Sequence, residues 1–346
     1  MNRKYTIKDI AALAGVSKGT VDRVLHKRGK VSEAALKKVN AILDEIDYQP
    51  NIIAQNLKQN KVFHICVLLP NPEMDNYWKR CEEGILNAKN DFAAFNVMVS
   101  IVDFDPLSTA SFNLKHQDIL KQQPDAVLLA PLFYKESKSA INDYYAHNIP
   151  VITFNNQVTI DAVSGFVGQD LVQSGRVAAK LFESMIKSGG LTIIHINEDI
   201  TNAMHMQEKE RGFRAFFETL HSQDFTISTL QVDAKKLHEI LPDYLNKTPE
   251  TKGLFITTSK SHLVSKLLEA KVIKDLVVIG YDLLEDNVNY LKSGWISYLI
   301  NQNPKHQAYL GLNALAEHLI YQNPILKNKL LPIDIINSEN VQQYLD

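Results

Sequence analysis

Between residues 5 and 25, small or apolar side chains stand at Ile7, Ile10, Ala11, Ala14, Val16, Val21 and Val24. This three-and-four spacing predicts two short amphipathic helices. Thr6 is placed to cap the first and Ser17 the second. Gly15, between them, can take the left-handed conformation that a tight interhelical turn requires. Ala11 is small enough to let the helices approach, and Val21 fills their seam. The pair reads as a helix-turn-helix whose second helix, about 17–25, would lie in a DNA major groove. A third helix is expected after Ser32, with Leu36, Val39, Leu43 and Ile46 on its inner face. It should end at Asp47 and Tyr48, because Pro50 disfavours helical geometry at Gln49.

From Val62 the pattern changes. Apolar runs occupy 62–69, 125–132 and 150–154, then 191–196, 253–258 and 276–281, separated by amphipathic stretches such as 78–95, 108–122, 171–187 and 235–246. The starts are spaced by 63 and 25 residues in the first set and by 62 and 23 in the second. This near-repeat predicts two similar α/β lobes, each a parallel sheet flanked by helices. Ligands of such sheets sit at the carboxyl ends of the strands, so the cleft between the lobes is the expected site.

Charge sharpens the division. Residues 1–61 carry 12 Lys+Arg against 6 Asp+Glu, a net of +6, whereas the remainder carries 25 against 33, a net of −8. A small basic module on an acidic body suits phosphate-backbone binding by one end. With 346 residues, 45% of them hydrophobic, the chain can build two or three domains with sizeable cores. Two cysteines, Cys66 and Cys81, do not make a disulfide scaffold, and Cys66 reads as a buried small hydrophobe. No secretory apolar segment precedes the basic module and no apolar run reaches membrane-spanning length, so a cytoplasmic protein with no membrane partner is expected. The sequon at Asn246 is read as chance.

The run YTIKDIAALAGVSKGTVDRVL, followed by VSEAALKKVNAILDEIDYQPNIIAQNLK, resembles the DNA-binding headpiece of the lactose-repressor (LacI/GalR) family. The body resembles the type I periplasmic-binding-protein fold that completes those repressors, most clearly in VVIGYD and LINQNPKHQAYLGLNALAEHL. The expected architecture is therefore a small all-α helix-turn-helix headpiece (1–48), a hinge helix or linker (49–61), and a two-lobed α/β effector-binding and dimerisation domain (62–346). Lobe 1 is expected at about 62–162 and 300–328, and lobe 2 at about 163–299 and 329–346.

The resemblance assigns DNA contacts. Ser17, Lys18, Gly19 and Thr20 stand at the start of the recognition helix. Arg23 matches the family's recognition arginine, whose fork can bond guanine N7 and O6 together; the alternative is a pairing with Asp22 or a phosphate. Asp22 stands where the family usually has serine, and a carboxylate beside phosphate must accept from a cytosine amine or orient Arg23 or Lys18. Tyr5, Thr6 and Asn51 are expected phosphate or sugar contacts. The hinge adds Ala54 and Leu57, the latter matching an intercalating leucine that kinks the duplex from the minor groove. The implied target is a double-stranded pseudo-palindromic operator bound by a homodimer. A tetramer is not expected, since no heptad tail precedes Asp346.

Ligand candidates stand at strand ends. Asp75, Asn76, Tyr77 and Trp78 combine a carboxylate, an amide and aromatic faces, which suits a polyol; alternatively Trp78 only begins a core helix. By resemblance, Asn155, Asp282 and Gln302 match ligand contacts, with turn capping as the alternative for Asp282, and Thr258 ends the corresponding strand of the second lobe. Relatives often place a clamping arginine three residues before a glycine; here that position is Lys209, before Gly212. A lysine is a point charge rather than a fork. It could favour a sugar acid or sugar phosphate, or face solvent among Glu208 and Glu210. His205 is read as a loop residue.

No enzyme is indicated. The chain lacks G-x-x-x-x-G-K-[ST] and HExxH motifs, its G-x-S-x-G match at 15–19 falls in the helix-turn-helix and is not a strand-to-helix nucleophile elbow, and its histidines have no zinc-ligand spacing with cysteine. No catalytic residue, metal or cofactor is expected. The reading is a sequence-specific transcriptional regulator, a repressor by resemblance, whose operator affinity answers to a sugar or sugar derivative in the cleft. The alternatives are an effector-independent DNA-binding dimer and a sensor of a nucleobase or other non-sugar metabolite.

Overall fold

The computed structural model describes residues 5–25, 28–46, 48, 61–196, 202–220 and 224–345. The chain forms two compact units, residues 1–59 and 60–346.

In the first unit, helices α1 (Ile7–Ala14), α2 (Lys18–Leu25) and α3 (Glu33–Glu45) form a three-helix module. Thr6 and Asp9 make a capping box: the Thr6 N–H donates to Asp9 Oδ2 at 2.9 Å, and Thr6 Oγ1 accepts from the Asp9 N–H at 3.3 Å. Ser17 Oγ accepts from the Thr20 N–H at 3.1 Å. Gly15 turns the chain at φ +63°. Ile10, Ala11, Ala14, Val21 and Val39 are the buried core, with Leu43 and Ile46 packed against it. Leu36, expected on that face, stands in the first turn of α3 and is 42% exposed. The hinge residues Asn51, Ala54 and Leu57 lie outside the described residues.

The second unit holds two six-stranded sheets. Lobe 1 is ordered β11-β5-β4-β3-β1-β2 and lobe 2 β12-β10-β9-β8-β6-β7. The strands are β1 (Phe63–Pro70), β2 (Val97–Phe104), β3 (Ala126–Leu129), β4 (Val151–Asn155), β5 (Gly165–Gly168), β6 (Gly189–Ile196), β7 (Phe225–Val232), β8 (Thr251–Ile256), β9 (Val277–Tyr281), β10 (Tyr298–Asn301), β11 (Asn328–Leu330) and β12 (Asp334–Ile336). All pairs are parallel except β10 with β12. Strands β1–β5 and β6–β10 follow the same order, so the near-repeat in the apolar runs is a repeat of topology.

Helices α4 (Asn76–Phe92), α5 (Thr109–Gln122) and α6 (Tyr134–Ala146) follow β1, β2 and β3. In lobe 2, α7 (Leu171–Met185) precedes β6, and α8 (Met204–Leu220), α9 (Leu237–Lys247), α10 (Ser261–Lys271) and α11 (Glu285–Lys292) follow β6, β7, β8 and β9. The long α12 (Pro304–Tyr321) returns to lobe 1 and packs on α4. Alternation along β6 shows why central strands are apolar on both faces: Leu191 and Ile193 join the core under α7 and α8, while Ile194 and Ile196 join the core under α9 to α11.

The lobe borders differ from expectation. Gly165–Gly168 pairs with β4, and β11 pairs with β5, so both strands belong to lobe 1 rather than lobe 2. The chain therefore crosses between lobes at Gln169–Asp170, at Gln302–Asn303 and at 331–333. Gln169 ties the three crossings together: its Nε2 donates to the Asn301 carbonyl at 2.9 Å and to the Pro332 carbonyl at 2.5 Å.

Candidate functional site

The carboxyl ends of the strands of both lobes face one cleft. After β1 the chain reaches Asp75, which caps α4 by accepting from the Tyr77 N–H at 2.9 Å. Asn155 ends β4 and Asp282 follows β9, at topologically matching places in the two lobes. Both take a left-handed backbone, with φ of +68° and +69°. Asn and Asp are among the few side chains that tolerate that conformation, which turns each residue into the cleft at its strand end.

Supporting bonds hold these two residues. The Asn155 N–H donates to Gln307 Oε1 at 2.9 Å, from the buried first turns of α12. The same Gln307 donates through Nε2 to the Gln302 carbonyl. Gln302 donates through Nε2 to Asp282 Oδ2 at 2.9 Å. Asn287 Nδ2 lies 2.8 Å from the Ser259 carbonyl and 3.0 Å from those of Tyr281 and Asp282, stapling the ends of β8 and β9.

Eight of the nine ligand candidates line a single small cavity of about 40 Å³: Asp75, Tyr77, Trp78, Asn155, Lys209, Thr258, Asp282 and Gln302. Asn76 is not among them. It is the first residue of α4 and its side chain is exposed, because the helix turns Tyr77 and Trp78, not Asn76, towards the interior. Trp78 is both core and lining: it meets Phe154 edge-on at 6.4 Å and borders the cavity.

Lys209 does not face solvent. It is 1% exposed, its Nζ donates to the Thr257 carbonyl at 2.9 Å, and it lies 3.6 Å from the centre of the Tyr281 ring. Its ammonium charge acts on Asp282; burial pushes the Asp282 carboxyl above its ordinary range, against the opposing pull of Lys209 and Gln302. Behind Lys209 runs a buried relay. His195 Nδ1 is 2.7 Å from Thr257 Oγ1, and His195 Nε2 is 2.6 Å from Glu210 Oε2. The position of Gly212 has a packing reason. A Cβ there would stand 1.9 Å from the Val172 carbonyl oxygen, and one on Gly175 would stand 2.0 Å from the Lys209 carbonyl oxygen. Helices α7 and α8 touch backbone to backbone where Lys209 leaves the helix.

Other lining residues were missed: Leu132, His205, Thr257, Ser259 and Lys260. His205, expected in a loop, is the second residue of α8 and 9% exposed. Lys260 forms an ion pair across the cleft with Asp75, Nζ to Oδ2 at 3.0 Å. A second link between the lobes comes from Asn202, which accepts the Lys135 N–H at 3.0 Å and donates to Glu136 at 2.8 Å. The lobes are thus held closed. A single water needs about 10–15 Å³, so the inner cavity holds a few waters and must open to take a ring.

In the separate first unit, Lys18, Gly19 and Arg23 are exposed on α2, and Thr20 and Asp22 are partly buried. Ser17 and Thr6 are the caps already described, and Tyr5 packs against the three-helix core. Among the described residues no group of three or more His, Cys, Asp or Glu side chains could hold a metal ion, and no helix is long and apolar enough to cross a membrane.

A helix-turn-helix module and a two-lobed binding-protein body in one chain define a DNA-binding regulator with a small-molecule sensor. Residues 6–51 match the lacI family of bacterial regulatory proteins, and residues 65–323 match the periplasmic binding protein domain family. The ribose operon repressor of Lactococcus lactis is 27% identical over 98% of this chain and 98% of its own length. The sucrose operon repressor of Streptococcus mutans is 25% identical over 97% of this chain and 99% of its own. The solved structure of a protein assigned as a LacI transcriptional regulator from Bacteroides fragilis superposes with a TM-score of 0.77 at 29% identity, covering 82% of this chain and all of that one. This chain belongs to the lacI family of bacterial regulatory proteins and carries a periplasmic-binding-protein domain as its body. It is a DNA-binding transcriptional regulator, not an enzyme.

Proposed function

We propose that the chain is a cytoplasmic sugar-responsive repressor. Its homodimer binds a pseudo-palindromic operator through α2 and the 49–61 segment, with Arg23 reading a base edge and Leu57 entering the minor groove. The effector is a neutral monosaccharide or polyol held in the inner cavity. The charge pattern of that cavity carries this reading. Lys260 is paired with Asp75 at 3.0 Å, and the charge of Lys209 acts on Asp282, whose carboxyl burial nonetheless raises above its ordinary range. Among the described lining residues both lysines thus already face a carboxylate, which disfavours a phosphate or sugar acid. What the lining offers instead is uncharged: Tyr77 Oη and Thr258 Oγ1 are buried without a hydrogen-bond partner among the described residues. Unpaired buried hydroxyls are costly, and ring hydroxyls of a ligand would satisfy them. Trp78 supplies an apolar face, and Asp282 and Asn155 supply acceptors.

Ligand binding would change the relative arrangement of the lobes and bias the operator-bound state. By linkage, operator DNA would change sugar affinity by the same factor. The test is a thermal-shift screen of the purified protein with neutral pentoses, hexoses and polyols beside their phosphate esters. A ligand at about 100 times its dissociation constant adds about 2.7 kcal/mol. The expected result is a shift with a neutral sugar that its phosphate ester does not match. A phosphate ester that stabilises more strongly than its parent sugar overturns the reading.

A further inference from the structure

Beside the inner cavity, next to the crossings between the same lobes, lies a second and larger one of about 520 Å³. The two share His205 as a lining residue, and successive residues of one strand end serve them: Asn155 lines the inner cavity and Asn156 the outer. Asn156 Nδ2 stands 3.4 Å from His205 Nδ1, and this contact between lobes forms the partition.

Two residues of the outer lining each carry a buried, unsatisfied side-chain oxygen. Asn156 is 3% exposed and Gln169 2%, and Asn156 Oδ1 and Gln169 Oε1 have no hydrogen-bond partner among the described residues. Their amide nitrogens are engaged elsewhere, Asn156 Nδ2 with the Pro131 carbonyl and Gln169 Nε2 with the Asn301 and Pro332 carbonyls, so both oxygens are acceptors awaiting donors. Of the charged groups at this cavity, Arg211 pairs with Glu208 at 2.6 Å and Asp170 caps α7 by accepting from the Gln173 N–H at 2.9 Å, which disfavours an anionic ligand. A cavity of this size falls within the roughly 300–1,000 Å³ of small-molecule sites.

We propose that the outer cavity is a second binding site, for an uncharged hydroxyl-rich ring that donates to Asn156 Oδ1 and Gln169 Oε1. Such a ring bridges the lobes and touches Gln169, the residue that ties the three crossings, so its occupancy acts on the closing motion directly. Two sources supply this chemistry: the second ring of an extended saccharide that also fills the inner cavity, or an independent sugar or polyol.

Thr159 lines the outer cavity from an exposed position on lobe 1, so Thr159→Trp fills the space without entering a core. Leu330→Trp, at a 53% exposed position, fills it from the β11 wall and serves if the first variant folds poorly. Asp282→Asn disables the inner cavity alone. Calorimetry and saturation-transfer NMR are run with D-ribose, D-galactose, myo-inositol, sucrose and lactose, each up to 100 mM. The expected result is at least one probe whose affinity falls tenfold or more in a filled variant. A probe weakened by both filling and Asp282→Asn spans the cavities; one weakened by filling alone binds independently. If Asp282→Asn removes binding while both filled variants keep wild-type affinity, the inner site stands and the outer one is refuted. Failure of every probe to bind in a way sensitive to filling also overturns the proposal.

Discussion

Lys260 of lobe 2 and Asp75 of lobe 1 meet across the cleft, Nζ to Oδ2 at 3.0 Å, with side chains only 20% and 17% exposed. The pair closes the inner cavity on the side of α4, and it must part before a sugar ring can enter. Asp75 has two tasks, because its other oxygen caps α4. Asp75→Asn keeps the capping oxygen and removes the charge, so it isolates the latch. A double-mutant cycle with Lys260→Met and Asp75→Asn should give a coupling of about 1 kcal/mol in urea unfolding, and each single variant should release bound sugar faster. Additive single effects and unchanged dissociation rates would remove the latch.

Asp282 is held in the left-handed conformation, and burial raises its carboxyl pKa. Asp282→Asn keeps the backbone preference and the shape but loses the charge that strengthens a bond to a ligand hydroxyl. Sugar affinity should fall tenfold or more, about 1.4 kcal/mol, with sugar-free operator binding unchanged. Asp282→Ala should also cost about 1 kcal/mol more stability than Asn, since alanine lacks the tolerance for this φ. Equal sugar affinity in Asp282→Asn and wild type would move the ligand elsewhere.

Local signals made the headpiece readable: Thr6, Ser17 and Ser32 cap, Gly15 turns, and Val21 fills the seam, all within a few residues of each other. Six of the eight interior strands, β1, β3, β4, β6, β8 and β9, were readable as apolar runs because both their faces are buried, whereas interior β5 and β10 are only four residues long. The edge strands β2 and β7 were not, because their outward positions are exposed and break the apolar run. At the site, strand ends and family positions pointed to Asp282, Asn155 and Gln302. Lys260, His205 and Asn287 carry no local signature. Lys260 matters through a partner 185 residues away, and Asn287 through three carbonyls that only the fold assembles. The charge of Lys209 could not be interpreted from sequence, since its meaning depends on Tyr281, Thr257 and Asp282 around it.

Glu210 makes the relay behind Lys209 sensitive to acid. Burial alone would raise its carboxyl, but hydrogen bonds from His195, Thr229 and Arg214 bring it from 4.5 down to about 2. A carboxyl with a depressed folded-state pKa stabilises the protein above its unfolded value and loses that contribution as pH falls through the folded value. The window is therefore about 4.5 down to about 2. Between these limits Glu210→Gln should show a flatter loss of stability in urea titrations than wild type. Parallel curves for the two proteins would assign the acid sensitivity to other groups.

Gly212 tests the backbone contact between α7 and α8. With the Val172 carbonyl oxygen 1.9 Å from where a Cβ would stand, Gly212→Ala must push the helices apart. Overpacking of this kind typically costs about 1–3 kcal/mol. Because Lys209 lies one turn earlier on α8, sugar affinity should fall together with stability. A variant of unchanged urea midpoint would show that the helices separate freely.

Arg23 is exposed on α2, and its side chain packs in no core, so Arg23→Ala should leave stability within about 0.5 kcal/mol of wild type. If its fork reads guanine, specific operator affinity drops by about 1–3 kcal/mol while binding to unrelated duplex changes little. Lys18→Ala offers the contrast. A lysine at the first position of α2 that contacts phosphate should weaken all sequences alike and lower the salt slope by about 1. Asp22 sharpens the comparison, because replacing it with serine removes a carboxylate from beside the phosphates and should strengthen binding to unrelated duplex. Titrations of the three variants against operator and scrambled DNA at several salt concentrations separate these roles. Equal losses on both duplexes in Arg23→Ala would reassign Arg23 to the backbone.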